Sequence, residues 1–494
     1  MESTKIIFPQ NKTLKSTIFS RMEESAKQDV VWKKGRTFSL VYYPGEEILQ
    51  FAKEAYTRFF CENGLNISAF PSLRKFETET VSMVGDLLNL PQNGAGSMTA
   101  GGTESILMAV FAARERACAY KTHIQKPEII VPVSVHPAFD KAAHYFNLTI
   151  HHAPLRPDGR VDTEAVRKII NPNTILIVGS SPSYPHGLVD PIAELGDLAV
   201  EYDIWLHVDA CVGGMLLPFV EKLGYPIPVF DFRVPGVRSM SVDLHKYGYC
   251  PKGTSVVLYR DKSYRRHQFF AYTEWTGGLY ASATITGTRP GGAIASAWAL
   301  INHLGIEGYL ELTKSVMDAS LKIQEAVKKI SGLYVISNPE ATVLALASDK
   351  FDIYQVADEL TLKGWALDRQ QLPPSIHLTI SFGNTPFVDE FINDLSLACE
   401  KVQKFSLNKV SNKVVVGIAK TLTRLLPEKV VSKLTSFGSN MGGEGIPKRQ
   451  AAMYGMMGVL PNRGDLHTIV LDMLDKLNTP TPQDIDTQND KKSP

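Results

Sequence analysis

The chain has 494 residues, too many for one ordinary core, so a large domain with a smaller companion is expected. Lysine and arginine number 52 against 51 aspartates and glutamates, and that balance leaves no basic footprint for nucleic acid. The five cysteines are odd in number and scattered, with no C-x-x-C pair to suggest zinc or a redox motif. Reduced thiols in a cytoplasmic setting follow. The N-terminus lacks the apolar centre of a signal peptide, and no apolar run reaches the roughly 18 residues of a membrane span, so a soluble protein is expected.

In chain order, Ile48–Tyr56 carries apolar residues at helical spacing, and Phe76–Leu90 reads as a second helix stopped by Pro91. Alternation then sets in. Helices are predicted at Ser105–Tyr120, Ala138–Phe146 and Pro191–Tyr202. Strands fall at Glu128–Val133, Thr174–Gly179, Ile204–Asp209, Ser239–Leu244 and Thr254–Tyr259. Strands separated by helices indicate βαβ units and a mostly parallel sheet, hence an α/β fold. Two long helices, Gly292–Leu304 and Ile306–Ile330, lead out of this region. Strands at Leu333–Ser337, Thr342–Ala347 and His377–Ser381 follow, with helices at Tyr354–Lys363 and Val388–Val402. The expected division is an N-terminal segment (1–60), a large domain (61–310), a small domain (311–477) and a disordered tail (478–494) rich in Thr, Pro, Asp, Asn and Lys.

Four loops carry reactive residues, several of them at predicted strand ends, where open α/β sheets bind ligands. Thr99-Ala-Gly-Gly-Thr-Glu-Ser105 has glycines that let backbone amides reach an anion at a helix N-terminus, Gly102 and Thr103 at its centre. A simple helix cap by Thr103 is the plainer alternative, and a Walker loop is absent. Asp209 ends an apolar strand in Trp205-Leu-His-Val-Asp, where a carboxylate is costly without a cationic partner; a metal ligand or a cap would also answer. Lys246 follows His245 at another strand end, ahead of a Tyr-Gly turn that tolerates little bulk. His136 opens a helix after a strand, as many structural histidines do. Together the four supply what pyridoxal phosphate needs: a phosphate cradle, a carboxylate for the ring nitrogen, an imidazole to stack on the ring and an amine for the aldehyde. His245 would bond the phosphate or shuttle a proton.

Longer stretches carry a resemblance. "HVDACVGG" (207–214), "DLHKYGYCPKG" (243–253), "GGLYASATITGTRPGG" (277–292) and "AAMYGMMGVLPNRG" (451–464) resemble the sphingosine-1-phosphate lyases. That family sits in the group II decarboxylase branch of fold-type I pyridoxal phosphate enzymes. The likeness runs from about Ser39 to Asn478. It implies that Lys246 forms the Schiff base, Asp209 meets the pyridine nitrogen and His136 stacks on the ring. Gly102, Thr103 and His245 would lie near the cofactor phosphate. Gly287 and Thr288 would reach the phosphate of a partner subunit, since active sites of this family form across a homodimer interface. Tyr42, Tyr184 and Lys252 match positions that bind the substrate phosphate or assist the chemistry. Two departures stand out: Cys250 replaces a common alanine, and Asn66 stands where the family places a histidine. Asparagine still donates a hydrogen bond. Eukaryotic members carry a membrane anchor that this sequence lacks, so the soluble bacterial form is expected.

The implied reaction is retro-aldol cleavage of a phosphorylated sphingoid base. The substrate amine displaces Lys246, a base takes the 3-hydroxyl proton, the C2–C3 bond breaks, and a long-chain aldehyde and phosphoethanolamine leave. A lysine of lowered pKa or a tyrosine would serve as base. An amino-acid decarboxylase of the same fold is the nearest rival, and an inactive scaffold is a rival of another class. Residues 410–435 read as helical and suit either a membrane or a partner subunit.

Overall fold

The structure is a computed structural model that describes residues 6, 8–27, 29–66, 68–407, 449–451, 454 and 463–480. Residues 410–435, most of the 451–464 stretch and the tail beyond 480 lie outside these. Seven strands form the central sheet: β1 (Ala95–Thr99), β2 (Glu128–Pro132), β3 (Thr149–Ala153), β4 (Thr174–Ser180), β5 (Trp205–Asp209), β6 (Val237–Val242) and β7 (Ser255–Tyr259). Their order is β1-β7-β6-β5-β4-β2-β3, and only β7 runs against its neighbours. The expected mostly parallel α/β sheet is borne out.

Successive residues of each strand feed two cores. Ile129, Leu176, Trp205 and Val257 join one apolar cluster, while Ile130, Ile177, Leu206 and Leu258 join the other. A strand's period of two sends neighbours to opposite faces, and both faces here are covered by helices. That is why β4 and β5 are buried at every position. The helices Gly102–Tyr120 and Ala138–Phe146 pack in one cluster, and Ile192–Glu201 and Leu217–Lys222 in the other. Because β1, β2, β4, β5 and β6 point the same way, their carboxyl ends open on one edge of the sheet.

An exposed hairpin, β8 (Phe270–Trp275) and β9 (Gly278–Ser282), follows β7. A four-stranded antiparallel sheet comes from β10 (Leu333–Val335), β11 (Val343–Ser348), β12 (Asp368–Gln371) and β13 (Pro374–Thr379), in the order β10-β11-β13-β12. The two long helices expected before it span Gly291–Lys329 and are separated by a kink at Gly305, whose φ of 54° and ψ of −169° are not helical. Glycine takes that left-handed φ without a Cβ penalty.

Compactness groups Trp32–Ile353 with Trp365–Ser396, which hold all three sheets; a second unit comprises 1–31, 354–364 and 397–494. The expected boundary of 310 falls inside the first of these units. The buried Tyr247 hydroxyl shows why: it donates to the Ile380 carbonyl at 2.8 Å and meets Thr342, tying the turn after β6 to the second sheet. Within the second unit, Asp358 accepts the backbone amides of Gln450 and Ala451 at 2.8 and 3.0 Å.

Candidate active site

The turn after β6 is as tight as its sequence suggests. A Cβ on Gly248 would lie 2.4 Å from the Leu244 carbonyl oxygen, so no larger residue fits there. Tyr309 donates to the Gly248 carbonyl at 3.0 Å, and Tyr249 holds a left-handed φ of 56°. With Tyr247 anchored as well, the backbone of Lys246 stands on a fixed platform. Its ammonium reaches Asp243 Oδ2 at 2.9 Å, and His245 Nε2 lies 3.7 Å from the same oxygen. Burial alone would lower the Lys246 amine, but Asp243, with help from Cys211 and Asp209, outweighs it and holds the ammonium above the ordinary lysine value. Burial pulls Asp243 the other way, yet Lys246 and His245 keep its carboxyl below the ordinary range. His245 is pushed down by burial and the two lysines, against Asp243.

Asp209, at the end of β5, is buried. Its Oδ1 accepts the Cys211 amide at 3.1 Å and the Ser241 hydroxyl at 3.3 Å; its Oδ2 makes no hydrogen bond among the described residues. At the end of β1 the helix Gly102–Tyr120 begins without a side-chain cap, so Thr103 is not the cap that the plainer reading offered. First-turn amides of an uncapped helix need outside acceptors. A Cβ on Gly102 would lie 2.7 Å from Asp243 Oδ2 and 2.9 Å from Cys211 Sγ. Glu104 holds the mouth of this cradle, accepting the Ala100 amide at 2.6 Å and the amides of Ile285 and Thr286 at 3.1 and 3.3 Å.

These groups surround one cavity of about 850 Å³. Gly102, Thr103, His136, Asp209, His245 and Lys246 line it, and so do Tyr42, Tyr184 and Lys252. His136 leaves its ring exposed while Nδ1 accepts the Ala138 amide at 3.2 Å. Tyr184 donates to Asp368 Oδ2 at 2.9 Å and stacks on His377 at 4.1 Å between ring centroids. Burial first, and then Asp368, raise the Tyr184 phenol well above the tyrosine value, so it stays protonated at neutral pH. Lys252 lies 5.3 Å from the Tyr42 ring, donates only to the His245 carbonyl at 3.4 Å, and makes no ion pair among the described residues.

Three expected residues lie outside the cavity lining. Asn66 turns its Oδ1 to the Ser68 and Ala69 amides at 3.0 and 3.2 Å, and Gly287 and Thr288 stand exposed. They share a neighbourhood nonetheless: Gly64 donates to the Arg289 carbonyl and Gly291 to the Glu62 carbonyl, both at 2.8 Å. Sequence reasoning passed over Asp243, Glu104, Cys211 and Asp368. A buried acid three residues before the reactive lysine was a legible signal for Asp243; nothing local pointed to Asp368, 184 residues from its tyrosine.

A family model, the pyridoxal-dependent decarboxylase conserved domain, matches residues 4–347. A sphingosine-1-phosphate lyase of Arabidopsis thaliana is 46% identical over 400 residues, 79% of this chain and 73% of that protein. The chain belongs to the sphingosine-1-phosphate lyase family. A solved sphingosine-1-phosphate lyase structure from Burkholderia pseudomallei is 40% identical, with a TM-score of 0.79 over 83% of this chain and 96% of that one. An L-aspartate/L-glutamate decarboxylase of Pyrococcus horikoshii is 34% identical over 78% of this chain and 98% of its own. Fold, family and the pyridoxal phosphate cofactor expected from the sequence thus stand. The cavity fits that cofactor chemically. Asp243 Oδ1 and His245 Nδ1 are buried with no hydrogen-bond partner, Asp209 Oδ2 is open, and the uncapped helix start at Gly102 and Thr103 lines the cavity, as an anion requires.

Proposed function

We propose that this lyase-family chain cleaves the C2–C3 bond of sphingosine 1-phosphate and related phosphorylated sphingoid bases, releasing a long-chain aldehyde and phosphoethanolamine. The observation that carries this reading is a pair of lysines on one cavity. Lys246 is neutralised by Asp243, while Lys252 keeps its charge unpaired for an anionic substrate. The greater identity to lyases than to the aspartate/glutamate decarboxylase favours the lyase over its rival.

Bound pyridoxal phosphate supplies the aldehyde and an electron sink for the carbanion. Lys246 offers the amine that holds it, and Asp209 Oδ2 faces where the ring nitrogen would lie. The exposed imidazole of His136 forms one wall. Gly102, Thr103 and the uncapped helix start take the cofactor phosphate, with His245 Nδ1 beside them. Tyr42 and Lys252 hold the substrate phosphate. Tyr184, kept protonated, donates a hydrogen bond in the site and is no base at neutral pH.

The reading includes a homodimer with shared sites. It is supported by the joined loops that carry Asn66, Gly287 and Thr288 away from their own cavity, and by the apolar hairpin beside them, where Trp275 is 53% and Leu279 83% exposed. In the partner's site, Gly287 and Thr288 would meet the cofactor phosphate and Asn66 the substrate. A cytoplasmic location completes it; all five cysteines are unpaired, and no helix among the described residues is long and apolar enough to cross a membrane.

The test is to incubate the cofactor-loaded protein with sphingosine 1-phosphate and follow long-chain aldehyde and phosphoethanolamine by mass spectrometry. Glutamate and aspartate run in parallel. Carbon dioxide from the amino acids with no aldehyde from the lipid would establish the decarboxylase instead.

A further inference from the structure

Asp209 can serve a ring nitrogen only if its carboxylate is held in one orientation, and the structure contains a device for that. Behind Ser241, whose hydroxyl bonds Asp209 Oδ1, lies a run of buried polar groups. His207 Nε2 is 3.2 Å from Ser241 Oγ, His207 Nδ1 is 2.8 Å from Ser239 Oγ, and Trp205 Nε1 is 2.7 Å from that same oxygen. His207, Ser239 and Ser241 are each 0% exposed. The arrangement follows from the sheet. Trp205, His207 and Asp209 alternate along one face of β5, and the register sets His207 opposite Ser239 and Asp209 opposite Ser241 on β6.

One proton assignment satisfies the whole run. The Asp209 carboxylate can only accept, so Ser241 donates to it and must itself accept from His207 Nε2–H. The bare Nδ1 of that neutral ring then accepts from Ser239, whose oxygen accepts the Trp205 indole N–H. Burial pushes His207 down to about 4 against the pull of Asp209, so the ring is neutral at working pH, as this assignment needs. A buried histidine satisfied by two serines would serve the core equally well if the run ended there. It does not; it ends on the one oxygen of Asp209 that leaves the other free toward the cavity.

We propose that His207 and Ser241 are positioning residues that, as the end of a one-way chain of hydrogen bonds from Trp205 through Ser239, lock Asp209 with Oδ2 presented to the cavity. The proposal rests on the reading that Asp209 meets the cofactor's ring nitrogen. Hydrogen bonds in such runs strengthen one another, so loss of any member reaches the carboxylate.

The test is a double-mutant cycle on the cofactor-loaded enzyme, read on kcat, KM, the cofactor dissociation constant and the visible circular dichroism of bound cofactor. Ser241→Ala and His207→Leu should each lower kcat about tenfold or more, the scale of one hydrogen bond to a charged group, with KM within about twofold. Both should alter the dichroism. His207→Gln, which keeps an N–H where Nε2 stands, should stay within about threefold of wild type. In an Asp209→Asn background, Ser241→Ala should change kcat and cofactor affinity by less than about twofold. Equal losses in both backgrounds, with Asp209→Asn itself impaired, would overturn the positioning role. An Asp209→Asn enzyme of wild-type turnover would overturn the reading beneath it. Should His207→Leu not fold, the Ser241 cycle decides alone.

Discussion

Lys252→Ala separates the substrate's phosphate from the cofactor's. Lys252 stands over the Tyr42 ring, exposed, donating only to a carbonyl at 3.4 Å, so its charge is available to a ligand. A hydrogen bond to a charged group contributes about 1.5–3 kcal/mol, and solvent screening at an exposed ammonium selects the lower end, about 1.5–2 kcal/mol. The expected loss is therefore about 10- to 30-fold in kcat/KM on phosphorylated substrate. Cofactor occupancy should be unchanged, because Lys252 is assigned to the substrate phosphate and not to the residues that take the cofactor. Lys252→Arg, which keeps the charge, should lose less. The lysine's pKa is lowered by desolvation and by Lys246, with Asp243 opposing. Its charge, and the Lys252-dependent part of kcat/KM, should thus disappear as pH rises through a value below that of an ordinary lysine. The assay is steady-state cleavage across pH, with cofactor absorbance recorded on every sample. A Lys252→Ala enzyme with full cofactor and unchanged kcat/KM would show that the lysine is an ordinary turn residue.

Lys246→Ala should abolish turnover, and borohydride reduction followed by peptide mapping should find no labelled lysine; labelling of a different lysine in the wild type would refute the assignment. Gly102→Ala puts a methyl 2.7 Å from Asp243 Oδ2, so cofactor affinity measured by dialysis should fall at least tenfold, while the melting temperature changes little. Asp190, fully buried on the loop after β4, accepts the Val161 and Ser180 amides at 3.0 and 2.8 Å, yet burial raises it from 3.8 to about 6. A raised carboxyl favours folding when protonated: its contribution, roughly 3 kcal/mol, is complete below pH 3.8 and lost as pH rises through about 6. Asp190→Asn should flatten that part of the stability profile in urea titrations; an unaltered profile would rule the group out.

The parallel sheet was legible because β4 is a nearly continuous apolar run and β5 and β6 alternate apolar residues with a few polar ones, a signal that needs no partner to read. In the central sheet, the strands that escaped notice are those whose residues say little alone. β1 is Ala-Gly-Ser-Met-Thr and is a strand only because β7 bonds it, and β3 is a half-exposed edge. The reactive residues were legible for a related reason. Lys246, Asp209, His136 and Gly102 each follow a strand, and parallel strands deliver their ends to one edge whatever the loops between them do. The cofactor chemistry was thus determined by residue types at strand ends, and the family by the longer stretches around and beyond them. Tertiary structure alone decided which acid pairs with which base, since hydrogen bonds depend on distance in space. Asp243 meets Lys246, Asp368 meets Tyr184 across 184 positions, and Ser241 steadies Asp209 from the next strand. It also decided that Asn66, Gly287 and Thr288 stand apart from their own chain's cavity, because their two loops are bonded to each other and hold them there.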